Sequence, residues 1–258
     1  MKIIGIGRNY ALHNQEMERL RAGDQRSEMG SSAEMGERSA SMGVANRPEV
    51  PVVFLKPDSA LQKPGKPFFV PDHLGRIDYE AELVVRICRL GKNIPERFAH
   101  RYYDAVTVGL DFTARDLQLQ AQQAGLPWTI CKGFDGAAVI GESLPLPLPR
   151  RGKGGGLKVE GGGRIDSTAE LSSLHIPPST LHQVHFRLEK NGVTVQEGCS
   201  DDMLFSVDEL ISYVSRFFTL KTGDLIFTGT PAGVGPVSIG DHLTGWIEDQ
   251  KVLNVKVR

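Results

Sequence analysis

Between residues 77 and 87 the odd positions Ile77, Tyr79, Ala81, Leu83, Val85 and Ile87 are apolar, and the even ones Asp78, Glu80, Glu82 and Arg86 are charged. A period of two predicts a β-strand with one buried face. It places Glu80 and Glu82 on a common face, about 6.5–7 Å apart along the backbone. Such a pair repels by about 0.6 kcal/mol in water and about 2.4 kcal/mol at an effective dielectric of roughly 20. On a solvated face of an antiparallel sheet, which is how the strand reads by itself, that repulsion is tolerable. In a cleft, one carboxyl must hold a proton or a cation must lie between the two.

Similar patterning predicts strands over residues 52–55, 105–110, 184–188, 193–195, 224–228, 243–247 and 252–257. The dipeptide Asn191-Gly192 is a hairpin turn and residues 248–250 are another. Helices are expected over about 10–18 or longer, 95–103, 114–124 and 207–218. Thr113 is the expected N-cap of the third, with Asp116 in its first turn, Gly125 at its end and Pro127 beyond. The helices do not alternate with the strands, which disfavours a doubly wound sheet and predicts a β-rich α+β chain. Two stretches fit no element. Residues 17–49 are rich in Ser, Gly, Glu and Met, and residues 145–178 contain two glycine runs and a short basic cluster. Both are expected to be flexible insertions in a single domain spanning 1–258.

Composition narrows the function classes. A chain of 258 residues with a net charge of −1 has no electrostatic reason to wrap nucleic acid. No apolar run is long enough to cross a bilayer. Three scattered cysteines, Cys88, Cys131 and Cys199, do not form a disulfide framework, and a cytoplasmic location is expected. No His/Cys spacing suits zinc. The glycine-rich turn from Gly229 to Pro236 lacks the Lys-Ser/Thr of a P-loop. It fits better as a turn offering backbone N–H groups and the Thr230 hydroxyl to a carboxylate.

Several residues carry candidate chemistry. Asp111 ends a predicted strand, and as a third oxygen donor it would turn the Glu80/Glu82 pair into a site for Mg2+, Mn2+ or Ca2+. His13 and Glu16 lie three apart on a helix, where a carboxylate can orient a histidine base; an exposed helix face would look the same. Lys132 follows an apolar stretch and either stabilises an oxyanion or enolate, or pairs with Asp135 at the surface. Arg115 and Gln118, at i,i+3 after Asp111, either face the same site or are solvated.

Six ordered segments then resemble the fumarylacetoacetate hydrolase family, in particular its short acylpyruvate hydrolase-like members. They run from Gly7 to Met17, Pro51 to Pro57, Asp78 to Leu83, Leu110 to Gln118, Gly125 to Asp135 and Gly223 to Pro236. The resemblance implies a mixed β-sandwich roll, commonly homodimeric. It also implies a divalent metal, Mg2+ or Mn2+, on Glu80, Glu82 and Asp111, and a water-activating His13–Glu16 pair. Lys132 would stabilise an enolate, and Arg115, Gln118 and Thr230 would contact a small 2-oxo acid substrate. The implied reaction is hydrolytic carbon–carbon cleavage of an acylpyruvate such as fumarylpyruvate or acetylpyruvate, releasing pyruvate. Related enolate chemistry (oxaloacetate decarboxylation or tautomerisation, hydroxymuconate-type isomerisation or decarboxylation) and a non-catalytic metal-dependent binding role are the alternatives. If the first insertion precedes the partner glutamate, Glu28 or Glu34 replaces Glu16.

Overall fold

The computed structural model describes residues 1–28 (backbone only from residue 20), 47–63, 65–146, 148 and 181–258. The chain begins with strand β1 (Ile3–Gly7), helix α1 (Ala11–Glu28) and β2 (Val52–Lys56). There follow β3 (Ile77–Tyr79), β4 (Ala81–Ile87), β5 (Tyr103–Asp111), β6 (Thr113–Ala114), α2 (Arg115–Ala124) and α3 (Thr129–Gly133). Strands β7 (Ala138–Ile140), β8 (Leu144–Pro145), β9 (His185–Lys190) and β10 (Val193–Cys199) precede α4 (Val207–Ser215). The C-terminal part holds β11 (Leu225–Phe227), β12 (Gly235–Pro236), β13 (His242–Ile247) and β14 (Gln250–Lys256).

Among the described residues these strands form three sheets. A seven-stranded one runs β2-β1-β11-β4-β5-β7 with β8 also on β5. A four-stranded one runs β10-β9-β13-β14, and a three-stranded one β12-β3-β6. Pairing is antiparallel except for β1 on β11, so the seven-stranded sheet is mixed and the other two are antiparallel. The curled, strand-rich α+β architecture is the one expected from the sequence.

Strand β4 explains why a period-two pattern was only half informative. Leu83 and Val85 enter the main core with Val106, Val108, Leu188, Leu243 and Leu253. On the opposite face Val84 packs into a second cluster with Ile3, Ala138, Leu225 and Phe227. Both faces are therefore covered, and of β4 only Arg86 is exposed. Glu80 and Glu82 are enclosed rather than solvated, at 4% and 1% exposure. The solvated-face reading fails because Lys132, Arg115 and the turn at Gly229 close over the two glutamates.

The Asn191-Gly192 hairpin forms with positive φ at both residues (55° and 81°), as this turn requires. Helix α4 opens on a capping box: Glu209 N–H donates to Ser206 Oγ (3.2 Å), and Ser206 N–H donates to Glu209 Oε2 (2.7 Å). Three expectations are corrected. Residues 96–101 form a tighter 3-10 helix. Helix α1 continues to Glu28, into the stretch expected to be a loop. Thr113 does not cap α2: it sits in β6, opposite Asp78, where its hydroxyl serves the site, and Ala114 precedes the helix without a side-chain cap. The remainder of the two expected insertions, residues 29–46 and 149–180, lies outside the described residues, as does Glu34. No helix among the described residues is long and apolar enough to cross a membrane.

Candidate metal centre and active site

Glu80 falls at the break between β3 and β4, Glu82 lies two residues on, and Asp111 closes β5. The β4–β5 register sets Ala81 beside Leu110, and Asp111 N–H donates to Glu80 O (2.8 Å). The three side chains thereby converge, with one oxygen of each lying within 4.8 Å of the others, all buried. Three carboxylates that close cannot all be ionised without cations among them.

The cations are present. Lys132, presented by α3, directs its ammonium at Glu80 Oε2 (2.7 Å), Asp111 Oδ2 (2.8 Å) and Thr113 Oγ1 (2.7 Å). Arg115, at the start of α2, donates to Glu80 Oε1 (2.7 Å), Asp78 Oδ2 (2.8 Å) and Gln118 Oε1 (2.5 Å). Lys56, at the end of β2, lies 2.6 Å from Asp111 Oδ1 and donates to the carbonyls of Lys132 and Ala137. The electrostatics divide the trio. Burial lifts the Glu80 carboxyl, but Lys132 and Arg115 outweigh it and hold Glu80 well below the ordinary carboxylate range. Burial pushes the Glu82 carboxyl up, and the Asp111 and Glu80 charges push it further. Burial opposes the Lys132 ammonium, yet Asp111 and Glu80 raise it to about 12. Burial draws the Lys56 ammonium below its ordinary value, with Asp111 opposing and Lys132 assisting that shift.

The donor set suits a hard divalent ion. It is all oxygen and anionic, and Glu82, held by the Gly229 N–H, is the one carboxylate of the three with no lysine or arginine bonded to it among the described residues.

The glycine-rich turn after β11 is used differently from the sequence expectation. Gly229 N–H donates to Glu82 Oε2 (2.7 Å), and Gly233 N–H donates to both oxygens of Glu16 (3.2 and 3.1 Å). The turn thus fixes two protein carboxylates instead of offering those groups to a substrate. The Thr230 hydroxyl donates to Ala81 O (2.9 Å) and accepts from Gln196 Nε2 (2.8 Å), so towards the cavity it can only accept. Gly229 is a requirement of this turn. Its φ is 102°, and a Cβ there would stand 2.7 Å from that of Asn9.

His13 and Glu16 share the inner face of α1. His13 is 8% exposed, and its Nδ1 lies 3.6 Å from Glu16 Oε2, within ion-pair range but beyond a hydrogen bond. Burial lifts the Glu16 carboxyl, while the His13 ring and the Gly233 N–H lower it further than that, leaving a net depression. A cavity of about 410 Å3 connects these groups: it is lined by His13, Glu80, Glu82, Asp111, Lys132 and Thr230, with Arg115 and Gln118 also on its wall. All nine candidate residues thus belong to one site, with Glu16 contributing through His13.

Four contributors were not singled out in the sequence. Lys56 was hidden in an apolar strand. Asp78 joins Arg115 to Arg76 (2.7 Å from Arg76 Nε). Gln196 holds Ala81 N–H (2.9 Å) and Thr230. Asn9 pins Phe205 and Thr228 through both ends of its amide, donating to Phe205 O (3.0 Å) and Thr228 O (2.7 Å) and accepting from Phe205 N–H (2.7 Å).

Comparison with known proteins identifies the family. The family model described as fumarylacetoacetate (FAA) hydrolase C-terminal matches residues 2–258. The chain belongs to the fumarylacetoacetate hydrolase family. Relatives of this family member include a mitochondrial oxaloacetate tautomerase of Arabidopsis thaliana, 34% identical over 95% of this chain and 86% of that protein. The human mitochondrial oxaloacetate tautomerase is 31% identical over 99% and 90%. Among solved structures, fumarylpyruvate hydrolase from Pseudomonas aeruginosa, in complex with Mn2+ and pyruvate, superposes with a TM-score of 0.71 at 31% identity, covering 100% of this chain and 89% of that one. Members of the fumarylacetoacetate hydrolase family are thus enzymes that include hydrolases, isomerases and tautomerases.

Proposed function

We propose that the protein is a divalent-metal-dependent hydrolase that cleaves the carbon–carbon bond of acylpyruvate-type 2,4-dioxo acids and releases pyruvate. The observation that carries this reading is that His13, with Glu16 beside it, opens on the same cavity as the Glu80/Glu82/Asp111 cluster. Mg2+ or Mn2+ held by those carboxylates would act as a Lewis acid on the carboxylate and 2-oxo oxygens of the substrate.

The protein's own groups do the rest. Glu16, fixed by Gly233, stands 3.6 Å from His13 Nδ1, and on closing to hydrogen-bond distance it would keep a proton on Nδ1 and leave Nε2 as the base. His13 takes a proton from water, and the water oxygen attacks the distal acyl carbonyl. The carbon–carbon bond then breaks, with its electron pair passing to the pyruvate half as an enolate. The proton on His13 returns to that carbon, giving pyruvate and a carboxylic acid. Lys132 has its N–H groups committed to Glu80, Asp111 and Thr113, so it meets the developing enolate as a fixed nearby charge. Arg115 retains further N–H donors on Nη1 and Nη2, and Gln118 its amide nitrogen, for the substrate carboxylate. A homodimer is part of the same proposal.

A second reading, oxaloacetate tautomerisation, is favoured by the tautomerase relatives. It needs a proton shuttle but no attacking water. Pyruvate release from acetylpyruvate, fumarylpyruvate and oxaloacetate, with and without Mg2+ or Mn2+, is the test, alongside the ultraviolet decay of enol-oxaloacetate. Metal-dependent pyruvate from the acylpyruvates supports hydrolysis. Accelerated enol decay without acylpyruvate cleavage replaces it with tautomerisation, and inertness towards all of them leaves a binding protein.

A further inference from the structure

Of the arginines and the lysine on the cavity wall, all but one are tied to protein groups. Lys132 and Arg115 serve the carboxylate cluster. Arg47 Nη2 lies 2.6 Å from Glu209 Oε1, and its guanidinium carbon sits 4.3 Å from the centre of the Phe205 ring. Arg8 is the remaining one, and among the described residues its guanidinium has neither an ion pair nor a hydrogen bond.

The backbone imposes this placement. Arg8 holds a left-handed φ of 61°, which costs a residue with a Cβ about 1–2 kcal/mol. Its neighbours enforce that conformation. Asn9 is anchored to Phe205 and Thr228, and Asn14 Nδ2 donates to Arg8 O (3.2 Å). A strained residue held by its surroundings on a cavity wall is the kind of outlier from which a functional hypothesis is built.

The wall between Arg8 and the carboxylates is aromatic. Lys132 Nζ lies 5.3 Å from the centre of the Phe54 ring, and that ring lies 5.9 Å from the Trp128 ring. Trp128 in turn packs on Gly7, where a Cβ would come within 3.3 Å of it. The cavity therefore offers a charged end, an apolar strip and a second, uncommitted cation.

We propose that Arg8 binds a second carboxylate at the far end of the substrate, so that the site selects dicarboxylic over monocarboxylic 2-oxo acids. This rests on the 2-oxo acid reading above, but not on which bond is made or broken. The test is calorimetric titration of Mn2+-loaded protein with 2-oxoglutarate and 2-oxovalerate, which have the same chain length and differ in the terminal carboxylate. Wild type is expected to prefer 2-oxoglutarate by about tenfold or more, the scale of one charge-assisted contact. In Arg8→Met, which keeps a Cβ and hence the same backbone cost, the ratio should collapse to within about threefold, with Arg8→Lys retaining part of it. No preference in wild type, or an unchanged ratio in Arg8→Met, overturns the subsite while leaving the 2-oxo acid reading intact. If Mn2+ binds but neither 2-oxo acid does, that reading fails and the subsite fails with it.

Discussion

Lys56→Met is the most discriminating perturbation of the site. The side chain is wholly buried, its ammonium 2.6 Å from Asp111 Oδ1 and bonded to the carbonyls of Lys132 and Ala137. Methionine keeps the length and the apolar stem, so the substitution deletes the charge with little change in volume. It strands a buried carboxylate oxygen that has no other partner among the described residues, together with part of the hydrogen bonding of two carbonyls. Removing one partner of a buried pair costs about 3–5 kcal/mol. For a chain of this size, at about 2 °C per kcal/mol, that corresponds to a fall of roughly 6–10 °C in Tm. The assay is thermal unfolding by circular dichroism in chelator-treated buffer, then with saturating Mn2+. Because the variant leaves Asp111 less compensated, Mn2+ should raise its Tm by more than it raises that of wild type. A double-mutant cycle assigns the cause: in an Asp111→Asn background the Lys56→Met penalty should shrink by more than about 1 kcal/mol. A metal-free Tm within about 2 °C of wild type, or a penalty unchanged by Asp111→Asn, would refute the argument.

The other predictions concern the remaining members of the site. Burial and the Asp111 and Glu80 charges raise the Glu82 carboxyl, so the folded metal-free protein holds a proton that the unfolded chain releases. That contribution to stability is whole below about pH 4, the unfolded value, and is lost as pH rises through the raised folded value. Metal-free wild type should therefore lose stability with rising pH on a slope that Glu82→Gln lacks, and Glu82→Gln should also lose the Mn2+-induced rise in Tm; parallel pH profiles would count against the shift. His13→Ala should lower acylpyruvate hydrolysis by about 10^2–10^4-fold, the usual contribution of a general base, and oxaloacetate enol decay by much less. Equal losses would assign His13 to proton shuttling or positioning. Asn9→Ala removes the buried bonds that join the segment before α1 to Phe205 and Thr228, and should cost about 2–4 kcal/mol by denaturant unfolding. A loss below about 0.5 kcal/mol would mean that the Gly229 turn keeps its place without the clamp.

The sequence by itself determined the element types and the list of chemical groups. Alternation over residues 77–87 was sufficient for a strand and Asn191-Gly192 for a hairpin, because each depends on contacts within a few residues of chain. It placed Glu80 beside Glu82 and His13 beside Glu16 for the same reason. Only the tertiary structure decided that Asp111 reaches the glutamates, since the β4–β5 register and the enclosure of both faces of β4 arise from pairing between distant segments. It likewise decided that Thr113 serves Lys132 instead of capping a helix, and that the Gly229 turn holds Glu82 and Glu16. Lys56 shows the limit most sharply. Within Val52–Lys56 nothing local distinguishes a lysine that trails into water from one buried against a carboxylate; that difference is made by Asp111, Lys132 and Ala137, more than fifty residues away.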